Sequence, residues 1–254
     1  MHDKTPPIPD TETDGFGPDR YGESFADVYD DWYDDVSDAE ATTAFVGRFG
    51  ENQRLLELGV GTGRLSQAIS NAGHDVVGVD ASTAMLERFR PTDSSWAVGG
   101  DMATLPVQDG AFDMVLVATN TLFNLSTHDG QQACLSESRR ALRLGGRLIV
   151  EAMIPADADP SIDRLVTTKS IDVDTAVLTA TIRDVDNQHI TGQHIEISEN
   201  GIRMRPWKIR YLSLDQLDEM AADVGLRLGQ RFDGWSDDPV TASSSNAVSV
   251  YVAV

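Results

Sequence analysis

The sequence predicts an α/β protein: a doubly wound, mostly parallel seven-stranded sheet carrying an antiparallel β insertion that roofs the cleft at one sheet edge. Three observations carry this prediction. Between residues 54 and 152 short apolar runs alternate with longer helical stretches, the pattern of βαβ units. After Pro155, segments rich in β-branched residues are separated by turn signals, which is the texture of antiparallel hairpins. A capped helix and two further strand-like runs then close the chain.

Residues 1–21 are read as a disordered acidic arm, with three prolines between positions 6 and 9 and too little apolar surface to order it. Over 22–50, Phe25, Val28, Tyr29, Trp32, Tyr33 and Val36 recur at helical spacing, predicting one or two lid helices with an acidic outer face. Residues 51–156 form the α/β core. Its strands are predicted at Arg54–Leu58, Asp75–Val79, Ser95–Gly99, Phe112–Ala118 and Gly146–Ala152, and its helices at Arg64–Asn71, Ala84–Arg90 and Thr127–Leu142. The insertion, 157–212, holds strands at Ala176–Asp186, His189–Ser198 and Ile202–Tyr211, divided by Asp186-Asn187 and Asn200-Gly201. In 213–254, Ser213 caps a helix that stops at Gly225, and strands at Arg227–Phe232 and Ala247–Val254 complete the sheet.

Composition narrows the function. The 254 residues carry a formal charge of −21, and residues 1–40 alone hold 13 acids against 2 bases. Such a surface repels a phosphate backbone, so no nucleic-acid partner is expected. No apolar run approaches the ~18 residues of a membrane span, so no membrane partner is expected either. The N-terminal stretch has neither a basic nor an apolar region of a secretory signal, and a cytoplasmic location follows. The single cysteine, Cys134, allows no disulfide framework or cysteine-cluster metal site, and no metal is assigned. Aspartate outnumbers glutamate 30 to 11 and arginine outnumbers lysine 17 to 3, a bias suited to a GC-rich genome and a salt-adapted host.

The chemistry centres on LLELGVGTG, a buried strand that ends in a glycine-rich turn and opens a helix. Gly59, Gly61 and Gly63 let backbone pass close under a ligand, and the free N–H groups at a helix start face polar or anionic groups. The sixth position counted from Gly59 is Arg64, which departs from the dinucleotide pattern, and no Gly-Lys-Ser/Thr follows. Asp80 closes the second strand 17 residues after Gly63, where a carboxylate can accept both hydroxyls of a ribose. Asp101 closes the third, where it can accept from an exocyclic amine while Met102 and Leu105 pack on a ring. Each aspartate taken alone is also explained as a loop cap. With Glu57 they form a set along the carboxyl edge of one sheet.

The motifs LLELGVGTG, VVGVD, GDMATLP, FDMVLVATNTLF and ALRLGGRLIVE, in this order, resemble those of the class I S-adenosylmethionine-dependent methyltransferases over about residues 22–254. The resemblance implies a Rossmann-like methyltransferase fold with S-adenosyl-L-methionine as cofactor. Glu57, Gly59, Gly61 and Gly63 would hold the methionine portion, Asp80 with Ala81 the ribose, Asp101 and Met102 the adenine, and Thr119 with Asn120 the methionine side. Residues 25–33 and 118–125 further resemble small-molecule N-methyltransferases acting on amino sugars and peptide α-amines. That implies a small-molecule acceptor, an amine nitrogen ahead of a hydroxyl or carboxylate; a fold relative that binds the cofactor without methyl transfer is the other reading. By the same resemblance Tyr33 lies near the sulfonium; it is otherwise a core aromatic, and Tyr29 could equally cover the cofactor. Asn124 stands where the amino-sugar enzymes tend to carry a histidine, and an amide cannot act as a base.

Acceptor identity is expected to reside in the insertion. Its last strand places Arg203, Arg205, Trp207, Ile209 and Tyr211 on one face and Met204, Lys208 and Arg210 on the other. Asn124, Arg205, Trp207 and Tyr211 are the substrate candidates, a roof arginine being suited to a carboxylate or phosphate. The arginines are alternatively paired with surface acids, or serve a homodimer contact through an edge strand. His189 and His194 have opposite parity, so only one can face inward. Asp30, Asp31, Asp34 and Asp35 surround the lid tyrosines and would make a negative lid favouring cationic ligands.

Overall fold

A computed structural model describes residues 15–33, 39–155 and 163–254. The predicted arm, apart from 15–21, together with Asp34, Asp35 and Val36, lies outside the described residues. The core is a seven-stranded sheet in the order β10-β11-β5-β4-β1-β2-β3. Its strands are β1 (Arg54–Leu58), β2 (Asp75–Asp80), β3 (Ser95–Gly99), β4 (Phe112–Val117), β5 (Leu142–Met153), β10 (Leu226–Phe232) and β11 (Asn246–Ala253). β1 lies parallel between β2 and β4, β4 lies parallel to β5, and β11 runs antiparallel between β5 and β10.

The period-2 alternation of these strands divides the core in two. Leu56, Val77, Val115, Leu148 and Val150 meet α6 (His128–Ala141) and α7 (Leu214–Asp223) on one face. Leu55, Val76, Met114, Leu116 and Ile149 meet α3 (Ala39–Gly47) and α4 (Arg64–Asn71) on the other. Burial on both faces is why these strands read as continuous apolar runs. Helices start where side chains accept their orphan amides: Thr127 Oγ1 takes Gly130 N–H, and Ser213 with Gln216 forms a reciprocal capping box.

Three elements differ from expectation. The helix predicted at Ala84–Arg90 is only α5 (Thr83–Leu86). Beyond it the amides of Arg88 and Phe89 bond three residues back, and Pro91 disfavours helix at its predecessor. Among the described residues the predicted lid segment holds three short helices, α1 (Arg20–Phe25), α2 (Tyr29–Tyr33) and α3, with a turn at 26–28. Among the described residues the insertion holds four strands, β6 (Arg164–Ile171), β7 (Thr175–Asp184), β8 (His189–Ser198) and β9 (Gly201–Arg210), antiparallel in that order. Sequence reading missed β6 because it is a mostly exposed edge strand without apolar alternation.

The parallel strands around β1 and β4 are a topological switch point: the chain proceeds from β1 outward to β3, then crosses back to β4. Ligands of open α/β sheets bind outside the carboxyl ends at such a point. The lid and the four-stranded sheet cover that edge.

Candidate active site

A cavity of about 260 Å³ opens there. Its floor comes from the loop after β1 (Gly59, Gly61), one end from the ends of β2 and β3 (Asp80, Ala81, Asp101, Met102), and one wall from the loop after β4 (Thr119, Asn120, Thr121, Asn124). The lid contributes Tyr21, Tyr29 and Tyr33, and the roof His194, Trp207 and Ile209. A smaller pocket of about 20 Å³, sharing Tyr29, Gly59, Thr119 and Thr121, continues toward Glu57, Thr62 and Arg64.

The glycines serve different ends. Gly59 and Gly61 are left-handed, φ +66° and +56°. A Cβ on Gly59 would sit 2.5 Å from Thr121 Cγ2, so the loop after β4 packs directly on it; one on Gly61 would meet nothing nearer than 3.9 Å, leaving open backbone under the cavity. Gly63 (φ +89°) faces the Phe89 ring instead and does not line the main cavity.

Asp80 is held by two backbone amides, Gly61 N–H on Oδ2 and Ser82 N–H on Oδ1, each at 2.8 Å. The Ala81 N–H also faces the carboxylate, which still has a lone pair for a further donor. Burial raises its pKa, and these amides work against that rise. Asp101 Oδ1 accepts Ala103 N–H at 2.8 Å, leaving Oδ2 for another donor. Glu57 is buried and accepts the Ser66 hydroxyl; desolvation pushes its pKa up to about 7.

These residues fit an adenosyl-methionine ligand: an open glycine floor, Asp80 and Asp101 with carboxylate lone pairs still able to accept, and the buried Glu57 carboxyl at the far end. Comparison with known proteins decides the question. The "Methyltransferase domain" family matches residues 56–150. The structure of the CcbJ methyltransferase from Streptomyces caelestis superposes with a TM-score of 0.87 at 32% identity, covering 94% of this chain and 99% of that one. The chain belongs to the class I S-adenosylmethionine-dependent methyltransferases.

Two curated relatives match more locally. The cypemycin N-terminal methyltransferase from Streptomyces sp. is 34% identical over 145 residues, 55% of this chain and 59% of that protein. A demethylmenaquinone methyltransferase from Beutenbergia cavernae is 42% identical over 101 residues, 39% of this chain and 40% of that protein. The chain thus spans 40% and 59% of the lengths of these two proteins. S-adenosylmethionine is the cofactor of this methyltransferase, and Glu57, Asp80, Asp101, Thr119 and Asn120 each line the cavity or the smaller pocket beside it.

The acceptor side came out differently from the sequence expectation. Trp207 and Asn124 line the cavity, but Arg205 and Tyr211 do not. The Arg205 guanidinium is 1% exposed and already committed: Nη1 donates to Asp27 Oδ1 and the Ser24 carbonyl, each at 2.6 Å, and Nη2 to Glu196 at 3.0 Å. It fastens the lid to the roof rather than facing an acceptor. Tyr211 is buried in the core beneath, its hydroxyl accepting from Arg183 Nε at 3.3 Å. Of the acids read as a negative lid, Asp30 accepts the Thr62 hydroxyl beside the smaller pocket and Asp34 and Asp35 lie outside the described residues, while Asp27 pairs with Arg205.

Tyr21 and His194 were not singled out as site residues. Tyr21 lies one helical turn before Phe25 and stacks on it with ring centroids 4.5 Å apart. Strand parity left one inward histidine in the insertion, and it is His194, opposite Arg205 in the β8–β9 register. Its Nδ1 pairs with the Thr179 hydroxyl at 2.8 Å. Burial, with Lys169 and Arg205 nearby, pushes its pKa down to about 4. Trp207 reaches the cavity because Gly192, its register partner, has no side chain: a Cβ there would fall 2.1 Å from the indole.

Proposed function

We propose that this methyltransferase transfers a methyl group to the nitrogen of a small-molecule amine. The carrying observation is that none of the titratable groups the lid and roof bring to the cavity is a strong base. Burial raises the phenols of Tyr21, Tyr29 (to about 12) and Tyr33 and depresses the imidazole of His194, so all four are neutral near pH 7. Without a strong base there, an amine, whose free base attacks without obligatory proton removal, suits the site better than a hydroxyl, which needs one. An imidazole with pKa near 4 is a weak one, and the Asn124 amide is none. The name of the cypemycin relative points the same way.

When bound, the cofactor supplies an electrophilic methyl on a sulfonium leaving group. The chain's own part is geometric: holding the nucleophile in line and excluding water accounts for most of the acceleration. Asp80 and Asp101 fix the nucleoside end. Tyr29 and Tyr33, with ring centroids 5.1 Å apart, cover the cavity from the lid and place a phenol beside the transfer region. Tyr33 orients the acceptor lone pair. Trp207 and Ile209 set the shape of the roof.

The test is incubation with methyl-labelled cofactor and parallel panels of amines, alcohols and carboxylic acids. Labelled N-methyl product is expected, with Tyr33→Phe lowering kcat and leaving S-adenosylhomocysteine affinity unchanged. Label appearing only on oxygen overturns the nitrogen reading in favour of O-methylation.

A further inference from the structure

The cavity wall after β4 is built in a conformation its residues disfavour. Thr119 (φ 53°) and Asn120 (φ 61°) are consecutive left-handed non-glycine residues, and Thr119 is β-branched. Such backbone persists only where its surroundings over-determine it. Here the surroundings are explicit. Glu151, on β5 and buried, accepts Thr119 N–H on Oε2 at 2.7 Å. Its Oε1 accepts from Asn246 Nδ2, at the start of β11, at 2.8 Å. The Asn120 side-chain oxygen accepts Met153 N–H at 2.6 Å.

Thr119 borders both pockets, whereas Glu151 borders neither. The turn has little slack on its other side, because the Thr121 methyl occupies the space that a Gly59 side chain would take. A relaxation at Thr119 is therefore passed to the floor of the cofactor site. Burying a carboxylate costs free energy and raises its pKa, so a residue with only a packing role here would be better apolar.

We propose that Glu151 is a positioning residue for the cofactor: by accepting Thr119 N–H it holds the left-handed Thr119–Asn120 turn that shapes the methionine side of the site. This rests on the cofactor assignment, which binding of S-adenosylhomocysteine to the wild-type chain tests separately.

The experiment is calorimetry of S-adenosylhomocysteine, with amide hydrogen exchange at Thr119, on wild type, Glu151→Leu and Glu151→Gln. For Glu151→Leu, affinity is expected to fall about tenfold, as for loss of one charge-assisted hydrogen bond, and Thr119 exchange to accelerate by a similar factor. Glu151→Gln keeps an oxygen for Thr119, and a turn of the Asn246 amide restores the second pairing, so both readouts stay within about threefold of wild type. A purely structural role would lower thermal stability in both variants while leaving the Kd of the folded protein unchanged. Folded Glu151→Leu binding as wild type does, or Glu151→Gln as weak as Glu151→Leu, overturns the proposal. If Glu151→Leu fails to fold, Asn246→Ala decides. Faster Thr119 exchange with weaker binding supports the role, and no change in either refutes it.

Discussion

Replacing Asp80 by asparagine is nearly isosteric, yet the structure makes it a severe change. Both carboxylate oxygens already accept a backbone amide, from Gly61 and from Ser82 at 2.8 Å each, so the carboxamide must turn its NH2 toward one of these donors. That leaves one backbone N–H facing another donor and removes one of the two oxygens offered to the ribose. Losing a charge-assisted hydrogen bond costs about 1.5–3 kcal/mol. With about 1.4 kcal/mol for each factor of ten, S-adenosylhomocysteine affinity should fall roughly 10- to 150-fold. Titration calorimetry near pH 7.5 measures it, with circular dichroism confirming that the variant is folded. A Kd within threefold of wild type would refute the assignment of Asp80 to the ribose and the pairing logic behind it.

Other perturbations test the remaining parts of the site. Glu57, with a pKa near 7 in a buried pocket, is mostly protonated at pH 6.5. If it pairs with the ligand's ammonium, S-adenosylhomocysteine binding should release a fraction of a proton there, detected as a buffer-dependent binding enthalpy that vanishes in Glu57→Gln. Because this pKa is raised on folding, the associated stability is complete below the usual carboxylate range and is lost as pH rises toward about 7. Glu57→Gln should accordingly flatten the pH dependence of urea unfolding on that limb. Asp27→Ala leaves the buried Arg205 charge with Glu196 as its remaining carboxylate and should cost about 3 kcal/mol, whereas Arg205→Met replaces it with apolar volume and should cost less; the reverse order in urea denaturation would contradict the clasp. The Asp27 carboxyl is held below its usual range by Arg205, so this clasp weakens only as pH falls through the acidic carboxylate range. Gly192→Ala drives a methyl into the Trp207 indole and should cost about 1–3 kcal/mol. Adding Trp207→Ala should remove most of that cost, and simple additivity of the two losses would count against the contact.

Much of the fold and the cofactor end of the site was legible in the sequence, because their determinants are local. A strand buried on both faces reads as an apolar run, a left-handed turn selects glycine at 59, 61 and 63, and Asp80 and Asp101 end their own strands. Each signal spans a few residues and needs no knowledge of distant chain. Side chains that meet across the fold left no such trace. Arg205 reads equally as an acceptor ligand or as the partner of some surface acid until Asp27, 178 residues away, is brought against it. His194 reads as one of several scattered histidines until β8 and β9 pair and turn it inward. Glu151 shows its use only when β4, β5 and β11 lie side by side and bring Thr119 and Asn246 to its two oxygens. The glycine turn and the strand ends are set by neighbours along the chain and are written there, whereas the left-handed Thr119–Asn120 turn is held from β5. The partner of a buried charge is set by packing between elements far apart in sequence, and tertiary structure alone decided it.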